Sequence, residues 1–128
     1  MLKIKDDNIN ITRGNYMAIT LTTKNPIDGT NYVFQIGDVV RFKVFERKNV
    51  DNVFLEKDFI ISEESEEVII ELTADEMKIG ELIDKKKEYW YEIELNPDTP
   101  KTQTIIGYEK EKGPAILTLL PEGGDKKW

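Results

Sequence analysis

Few residues in this sequence belong to the types that carry out catalysis. The chain contains no histidine and no cysteine, so the commonest general base and the commonest transition-metal ligands are missing, and disulfides are excluded. A serine or threonine nucleophile would then need a lysine as its base. Ser62 and Ser65 lie in a glutamate-rich turn, where the surrounding negative charge opposes activation of a hydroxyl. We expect no nucleophilic catalysis from these serines.

Carboxylates are the remaining candidates for chemistry. Two acidic side chains that flank a glycosidic bond can hydrolyse it, and the chain has 25 aspartates and glutamates, so pairs arise by chance. Glu92 and Glu94 are such a pair, but their alternation with apolar residues predicts an outward, solvated position on a strand. We therefore expect a non-enzymatic protein with no catalytic residues and no cofactor.

An oxygen-rich cluster near the N-terminus has the ligand types that calcium prefers. Its members are Asp6, Asp7, Asn8 and Asn10. Their spacing differs from the loop of an EF-hand and lacks its distal glutamate, so a solvated turn is the better interpretation. The pair Gly123 and Gly124 stands alone and does not make a phosphate-binding loop. No metal site is predicted.

Trp90 is the strongest candidate for a binding residue. Residues 88–95 alternate strictly, which places Trp90 on the face opposite Tyr89 and Tyr91. If the tyrosines fill the core, Trp90 lies outside, where it can anchor a protein interface or stack on a sugar. The alternative is that a nearby helix or the N-terminal arm covers it, and the pattern leaves both open.

Two further aromatic residues are candidates for partner contacts. Phe45 interrupts the alternation of its segment, and we expect it at the rim of a sheet. Trp128 is the last residue of the sequence, and an aromatic chain end can dock on a neighbour.

A helix signal precedes the strand that carries Trp90. Thr73 can cap a helix, Glu76 can return the hydrogen bond as in a capping box, and Gly80 is a plausible stop. We therefore predict a short helix between two late strands.

The rest of the chain reads as strands separated by Gly, Pro, Asn and Asp turns. The predicted strands are 16–23, 32–36, 39–46, 53–61, 68–72, 88–95, 102–108 and 115–120. Roughly seven or eight short strands with one helix fit an antiparallel sandwich rather than an α/β fold. The predicted fold is all-β, a single antiparallel immunoglobulin-like β-sandwich with one short helix.

Length and charge limit the remaining possibilities. The chain of 128 residues is expected to form one domain, with residues 1–8 as an N-terminal arm or edge strand, 9–120 as the sandwich and 121–128 as a polar tail. A net charge of -7 disfavours nucleic-acid binding, and Lys85, Lys86 and Lys87 read as solvated turn lysines. The sequence shows no long apolar run for a membrane and no signal-peptide core. We expect synthesis in the cytoplasm and either retention there or release by cell lysis.

Four segments carry a resemblance to a known family: ITRGNYMAITLTTKN (11–25), IGDVVRFKVFERK (36–48), EEVIIELTADEM (66–77) and KKEYWYEIEL (86–95). In order and spacing they resemble the small immunoglobulin-like virion domains of tailed phages that infect Firmicutes. They are similar in particular to the N-terminal domain of phage upper-baseplate proteins. Those domains show an I-x-R-G-D opening, a G-D-x-V-R-F-x-V strand and a G-x-Y-x-Y-D-I-x-L strand. This chain departs from that pattern at Asn15, where the family has Asp, and at the charged residues 81–88.

The resemblance implies a structural role in a tailed-phage, prophage or phage-tail-like particle. The domain would dock on other virion proteins in the baseplate, tail or capsid, as a homo-oligomer or part of a symmetric assembly, after synthesis in the host cytoplasm and release by lysis. The terminal segments 1–8 and 121–128 are candidate docking arms, since extended termini and open strand edges favour strand addition. The alternative is a carbohydrate-binding module that contacts host-surface glycan through exposed aromatic residues. Neither implies nucleic-acid or membrane binding.

Overall fold

The protein is all-β in the part of the chain that the structure describes. The computed structural model describes residues 3–5, 7–25, 27–47, 49–108 and 113–121, with the backbone alone for residues 3–5 and Val50. Within these ranges the strands are β1 (Lys3–Lys5), β2 (Asn8–Thr12), β3 (Met17–Leu21), β4 (Val39–Glu46), β5 (Asn49–Ile60), β6 (Val68–Leu72), β7 (Lys87–Leu95), β8 (Gln103–Ile106) and β9 (Ala115–Leu120).

The strands form two sheets. The larger has the order β1-β2-β9-β7-β4-β5, and the smaller pairs β3 with β6. Strand β7 uses one edge for β4 and divides the other between β9, along its first half, and β8, along its last three residues. All neighbours are antiparallel except β2 and β9, which pair in parallel. The prediction of a mainly antiparallel all-β protein is confirmed, and the parallel pair is an addition to it.

One core of buried side chains joins residues of both sheets, as in a β-sandwich. The alternation predicted for β4, β6 and β7 is confirmed, because every second side chain of these strands is buried. Tyr91 packs its ring at 5.6 Å from that of Phe42, and its hydroxyl donates a hydrogen bond to the carbonyl oxygen of Asp7. This contact attaches the segment between β1 and β2 to the centre of the larger sheet.

The predicted short helix is wrong: the described residues contain no helix, and 74–77 make a single turn. The capping box itself forms, since the Thr73 amide donates to Glu76 Oε1 at 2.9 Å and the Glu76 amide donates to Thr73 Oγ1 at 3.1 Å. The helix does not continue beyond this turn because Met77 and Ile79, two positions apart, are both buried in the core. That spacing requires extended backbone, and a single turn has too few hydrogen bonds to sustain a helix.

Two strand predictions also need correction. Residues 32–36 form no strand; Phe34 makes only an isolated bridge with Ser65, and the chain turns where the Asp38 amide bonds to the Gln35 carbonyl at 3.0 Å. Strand β5 begins earlier than predicted, because Asn49 already pairs with Glu46 to close the β4–β5 hairpin.

Arg13 lies in the segment between β2 and β3 and binds the segment between β6 and β7. Its guanidinium group donates to the carbonyl oxygens of Ile79 at 2.9 Å, Lys78 at 3.2 Å and Gly80 at 2.8 Å. The Arg13 side chain is buried, and its bond to the Ile79 carbonyl oxygen satisfies a group that water reaches poorly. Arg13 thus fixes the path of the segment that leads into β7.

Candidate functional site on the outer face of the larger sheet

Four apolar residues form a row across the outer face of the larger sheet. The row, called the apolar row below, consists of Val53, Phe45, Trp90 and Ile116. Phe45 pairs with Val53 on β5 and with Trp90 on β7, and Trp90 pairs with Ile116 on β9. Directly paired residues of antiparallel strands lie on the same face, and this face is opposite the one that buries Tyr89 and Tyr91.

Trp90 is half-buried in this row. Its ring centroid lies 6.2 Å from that of Tyr108, with the ring planes inclined at 41°. Tyr108 is 67% exposed, so the pair presents aromatic surface to solvent. Of the two alternatives for Trp90, the structure supports a partly exposed ring beside a second aromatic ring. A covering helix is wrong, since the described ranges contain none.

The other two predicted contact residues have different outcomes. Phe45 is only 4% exposed, so the expectation that it lies at an open rim is wrong. Its regular pairing with Trp90 keeps it within the sheet, and its side chain presents little surface of its own. Trp128 lies outside the described residues, as does the predicted C-terminal arm 121–128 except for its first residue.

A charged cluster continues the outer face beyond Trp90. Lys43 Nζ lies 3.8 Å from a carboxylate oxygen of Glu92 and 3.8 Å from one of Glu94. The two glutamate side chains lie on the outward face of β7, as predicted, and they are 26% and 21% exposed, so they are only partly solvated. Burial, and then the negative charge of Glu94, raise the pKa of Glu92 above its ordinary value. The sequence alone does not predict the contact of Lys43 with the two glutamates, because that contact depends on the register of β4 against β7.

A second ionic contact, centred on Arg41 of β4, lies farther along the outer face. The Arg41 guanidinium group binds both carboxylate oxygens of Asp58, at 2.7 Å and 3.1 Å, and reaches Asp98 at 3.0 Å. Hydrogen bonding to Arg41, against the effect of burial, lowers the pKa of Asp58. The outer face therefore divides into an apolar end at Trp90 and a charged end at Arg41.

Ser65 and Asn8, first considered for catalysis and calcium binding, make structural hydrogen bonds. Ser65 exchanges backbone hydrogen bonds with Phe34, and its hydroxyl accepts from the Glu67 amide at 3.1 Å. Asn8 accepts from the Ile116 amide at 3.0 Å through its side-chain oxygen. Among the described residues no group of acidic, histidine or cysteine side chains is arranged to hold a metal ion. Asp6 lies outside them.

The comparisons with known proteins give no relative. No protein-family model matches the chain, and neither the curated proteins nor the solved structures include a match. In the described residues, no helix has the length and apolar character needed to cross a membrane.

Proposed function

We propose that the protein is a non-enzymatic structural component of a tailed-phage, prophage or phage-tail-like particle, with an immunoglobulin-like fold. Strand order supports the fold. If β3, β4, β5, β6, β7 and β9 receive the letters B, C, C′, E, F and G, the order β9-β7-β4-β5 becomes G-F-C-C′ and the smaller sheet becomes B-E. These are the neighbours of a variable-type immunoglobulin domain.

One observation carries the proposal: the residues behind the family resemblance are the ones that hold this fold together. Arg13 of the R-G motif binds three carbonyl oxygens of the segment before β7. Asp38 of the G-D motif accepts from Tyr32 at 2.6 Å, from the Gln35 amide at 3.0 Å and from Asn96 at 3.2 Å. Matches at such positions indicate a shared fold more strongly than matches at surface positions do.

The surface of the domain suits assembly. Trp90 and Tyr108, together with Val53 and Ile116 of the apolar row, give the larger sheet a partly exposed outer patch whose aromatic residues are of the kind common in protein interfaces. Strand β5 has no strand partner on its outer edge among the described residues, and an open edge is a ready site for pairing with another chain. Such surfaces fit a domain that docks on other virion proteins in the baseplate, tail or capsid, within a homo-oligomer or symmetric assembly.

Co-sedimentation tests the proposal. An epitope-tagged copy would be produced in the induced source strain, and the particles would be banded on a density gradient and probed for the tag. The proposal expects the chain in the particle band and resistant to a high-salt wash. Recovery only at the top of the gradient, with intact particles below, would reject it.

A second candidate function, carbohydrate binding, is favoured by the Trp90–Tyr108 pair. Two aromatic rings 6.2 Å apart at a surface offer apolar faces on which a sugar can stack. We would measure binding to polysaccharide purified from the host cell wall. The Trp90→Ala and Tyr108→Ala variants are expected to lose binding, whereas Tyr16→Ala, at an exposed tyrosine elsewhere, is expected to keep it. Absence of binding by the unaltered protein would exclude this function.

A further inference from the structure

The two sheets leave a groove on one side of the sandwich. It has a volume of about 570 Å³ and is lined by residues 58–63, 65 and 67–69, that is, by the end of β5, the loop that follows it and the start of β6. We call it the edge groove. We propose that it binds an extended basic segment of another protein, which adds as a strand to the free edge of β5.

The backbone of β5 presents unpaired groups to this groove. Val39 exchanges its backbone hydrogen bonds with Asn96, donating to Asn96 Oδ1 at 2.9 Å and accepting from the Asn96 amide at 2.7 Å. Val39 faces Ile60 in the ladder, so the amide and carbonyl groups of Ile60 point away from β4. Alternate residues of a strand share this direction. The backbone of Asp58 therefore points to the same free edge.

The opposite wall of the groove is the free edge of β6. The Glu71 carbonyl oxygen accepts a hydrogen bond from Lys57 Nζ at 3.1 Å, so it points away from β3. By the same alternation, Ile69 directs its backbone groups to the groove side. Lys57 also pairs with Glu76 at 2.9 Å, and these contacts bridge the two sheets beyond the groove. The opening is thereby confined to the Ile60 end of β5.

Side chains at the groove combine apolar surface with negative charge. Ile60 is 73% exposed and Ile69 is 61% exposed. The lining residues include Asp58, Glu63 and Glu67 but no lysine or arginine, and residues 62–67 are all exposed. No ion pair between described residues involves Glu63 or Glu67. An approaching strand thus meets an apolar contact at Ile60 and the exposed carboxylates of Glu63 and Glu67, whereas Asp58 is already paired with Arg41.

These features identify the occupant by charge. A strand paired with β5 would place its side chains opposite Glu56, Asp58 and Ile60. Arg41 already neutralises Asp58, so the charge that favours a basic strand is that of the exposed loop beside it, which carries Glu63 and Glu67. The matching partner carries two basic residues and one apolar residue at alternate positions. A second copy of this chain fits poorly, because antiparallel pairing of two β5 edges brings Glu56 and Asp58 of both copies together, and each copy carries a net charge of -7. The inference rests on the proposed function only in taking the partner to be a neighbouring virion protein.

A designed peptide tests the edge groove directly. The probe is acetyl-GITKTKTG-amide, whose isoleucine and two lysines would face Ile60, Asp58 and Glu56 in antiparallel register. It is titrated into ¹⁵N-labelled protein at low salt and followed by two-dimensional NMR. We expect the largest shift changes at the amides of Asp58, Ile60 and Ile69, and weaker binding as salt is added. Shift changes centred on Trp90 and Tyr108, or no binding, would overturn the proposal.

Control peptides separate strand addition from general attraction of charge. A peptide with glutamates in place of the lysines tests charge, and one with N-methylated lysine backbone nitrogens tests hydrogen bonding to the edge. Both are expected to bind much more weakly, and equal binding by either would reject the proposal. Elution of the protein alone as a dimer, with the amides of Asp58 and Ile60 protected from exchange, would assign the edge to a second copy and reject a basic partner.

Protein variants complete the test. The double variant Glu63→Gln/Glu67→Gln is expected to weaken peptide binding by about three- to tenfold, because it removes the two groove carboxylates that attract the basic peptide. The matched control is Glu81→Gln/Asp84→Asn, which removes two exposed charges outside the groove and should leave the affinity unchanged. Equal loss in both variants would point to net charge alone and reject the groove. Particle association is a separate measurement, so a failed peptide titration leaves the proposed function standing.

Discussion

The guanidinium group of Arg13 donates a hydrogen bond to the Gly80 carbonyl oxygen at 2.8 Å, across 67 positions of sequence. With the bonds to Lys78 and Ile79, it fixes the segment that leads into β7. A buried side chain that satisfies several carbonyl groups at once has no simple replacement, because only arginine presents its donors in a planar fork.

Replacement of Arg13 should therefore destabilise the fold strongly. We expect Arg13→Met to lower the free energy of unfolding by about 2–4 kcal/mol, and Arg13→Lys by somewhat less, because carbonyl oxygens lose their donors in a buried position. Urea denaturation measures both. Arg47→Lys is the control, at an exposed arginine that lies 3.4 Å from Glu88, and should change stability little. An Arg13→Met variant as stable as this control would show that the carbonyl contacts contribute nothing.

Gly80 and Tyr89 are expected to be energetically coupled. Gly80 has a φ of 66°, and a β-carbon at this position would collide with the Tyr89 hydroxyl. Gly80→Ala should cost about 1–3 kcal/mol, from the left-handed backbone and from the collision. Tyr89→Phe removes the collision, and it should be nearly neutral because the buried hydroxyl has no hydrogen-bond partner among the described residues.

A double-mutant cycle isolates the coupling. The double variant Gly80→Ala/Tyr89→Phe should recover part of the stability lost in Gly80→Ala, and the remainder reports the backbone strain. If the two effects simply add, the hydroxyl does not limit the space at Gly80.

Asp38 should contribute to the loss of stability in acid. Burial acts to raise the pKa of Asp38, but hydrogen bonds from Tyr32, the Gln35 amide and Asn96 outweigh it and hold the pKa below the ordinary value. The folded state therefore binds this proton less readily than the unfolded chain does. The contribution is present above the unfolded pKa of about 3.9 and is lost as the pH falls through that range.

The variant Asp38→Asn tests this dependence. It should lower the free energy of unfolding by about 1–2 kcal/mol near neutral pH, through weaker hydrogen bonds, and the difference from the unaltered protein should shrink at about pH 3. Urea unfolding at the two pH values measures both quantities. A difference that stays constant with pH would contradict the role assigned to the carboxylate charge.

Glu92 should have the opposite pH dependence. Burial, followed by the charge of Glu94, raises the pKa of Glu92, so the folded state favours its protonated form. Its contribution to stability is full below the unfolded pKa and declines as the pH rises through the raised folded pKa. Glu92→Gln should raise the melting temperature by about 1–3 °C near neutral pH and change it little in acid. Glu88→Gln, at a more exposed glutamate, serves as the control, and a lower melting temperature for Glu92→Gln near neutral pH would show that its contact with Lys43 dominates.

Local patterns in the sequence predicted the strands better than they predicted how the strands pair. Alternation identified the buried faces of β4 and β7, because the side-chain period of a strand is a local property. The capping box is also a local pattern, and it led to the wrong prediction of a helix at Thr73. The burial of both Met77 and Ile79, which prevents the helix, depends on the core around them. The parallel pairing of β2 with β9 joins distant segments and leaves no mark in either strand alone.

The same limit applies to the candidate sites. Alternation placed Trp90 on the outer face, but its contact with Tyr108 and its row with Phe45 and Ile116 follow from register between strands. Phe45 was expected at a rim because its segment breaks the alternation, whereas the ladder with β7 is regular there and the irregularity lies on the β5 side. The edge groove is lined by residues of both β5 and β6, and no local pattern encodes how these two strands are placed.

We propose that this protein is a stoichiometric part of a tailed-phage or phage-tail-like particle. The most direct test is quantitative mass spectrometry of particles purified on a density gradient from the induced source strain, with peptides of this chain counted against the major tail and capsid proteins. We expect a fixed ratio that is unchanged between preparations and after a high-salt wash. A chain abundant in the lysate but absent from the particles, or present at a ratio that varies and falls on washing, would contradict it.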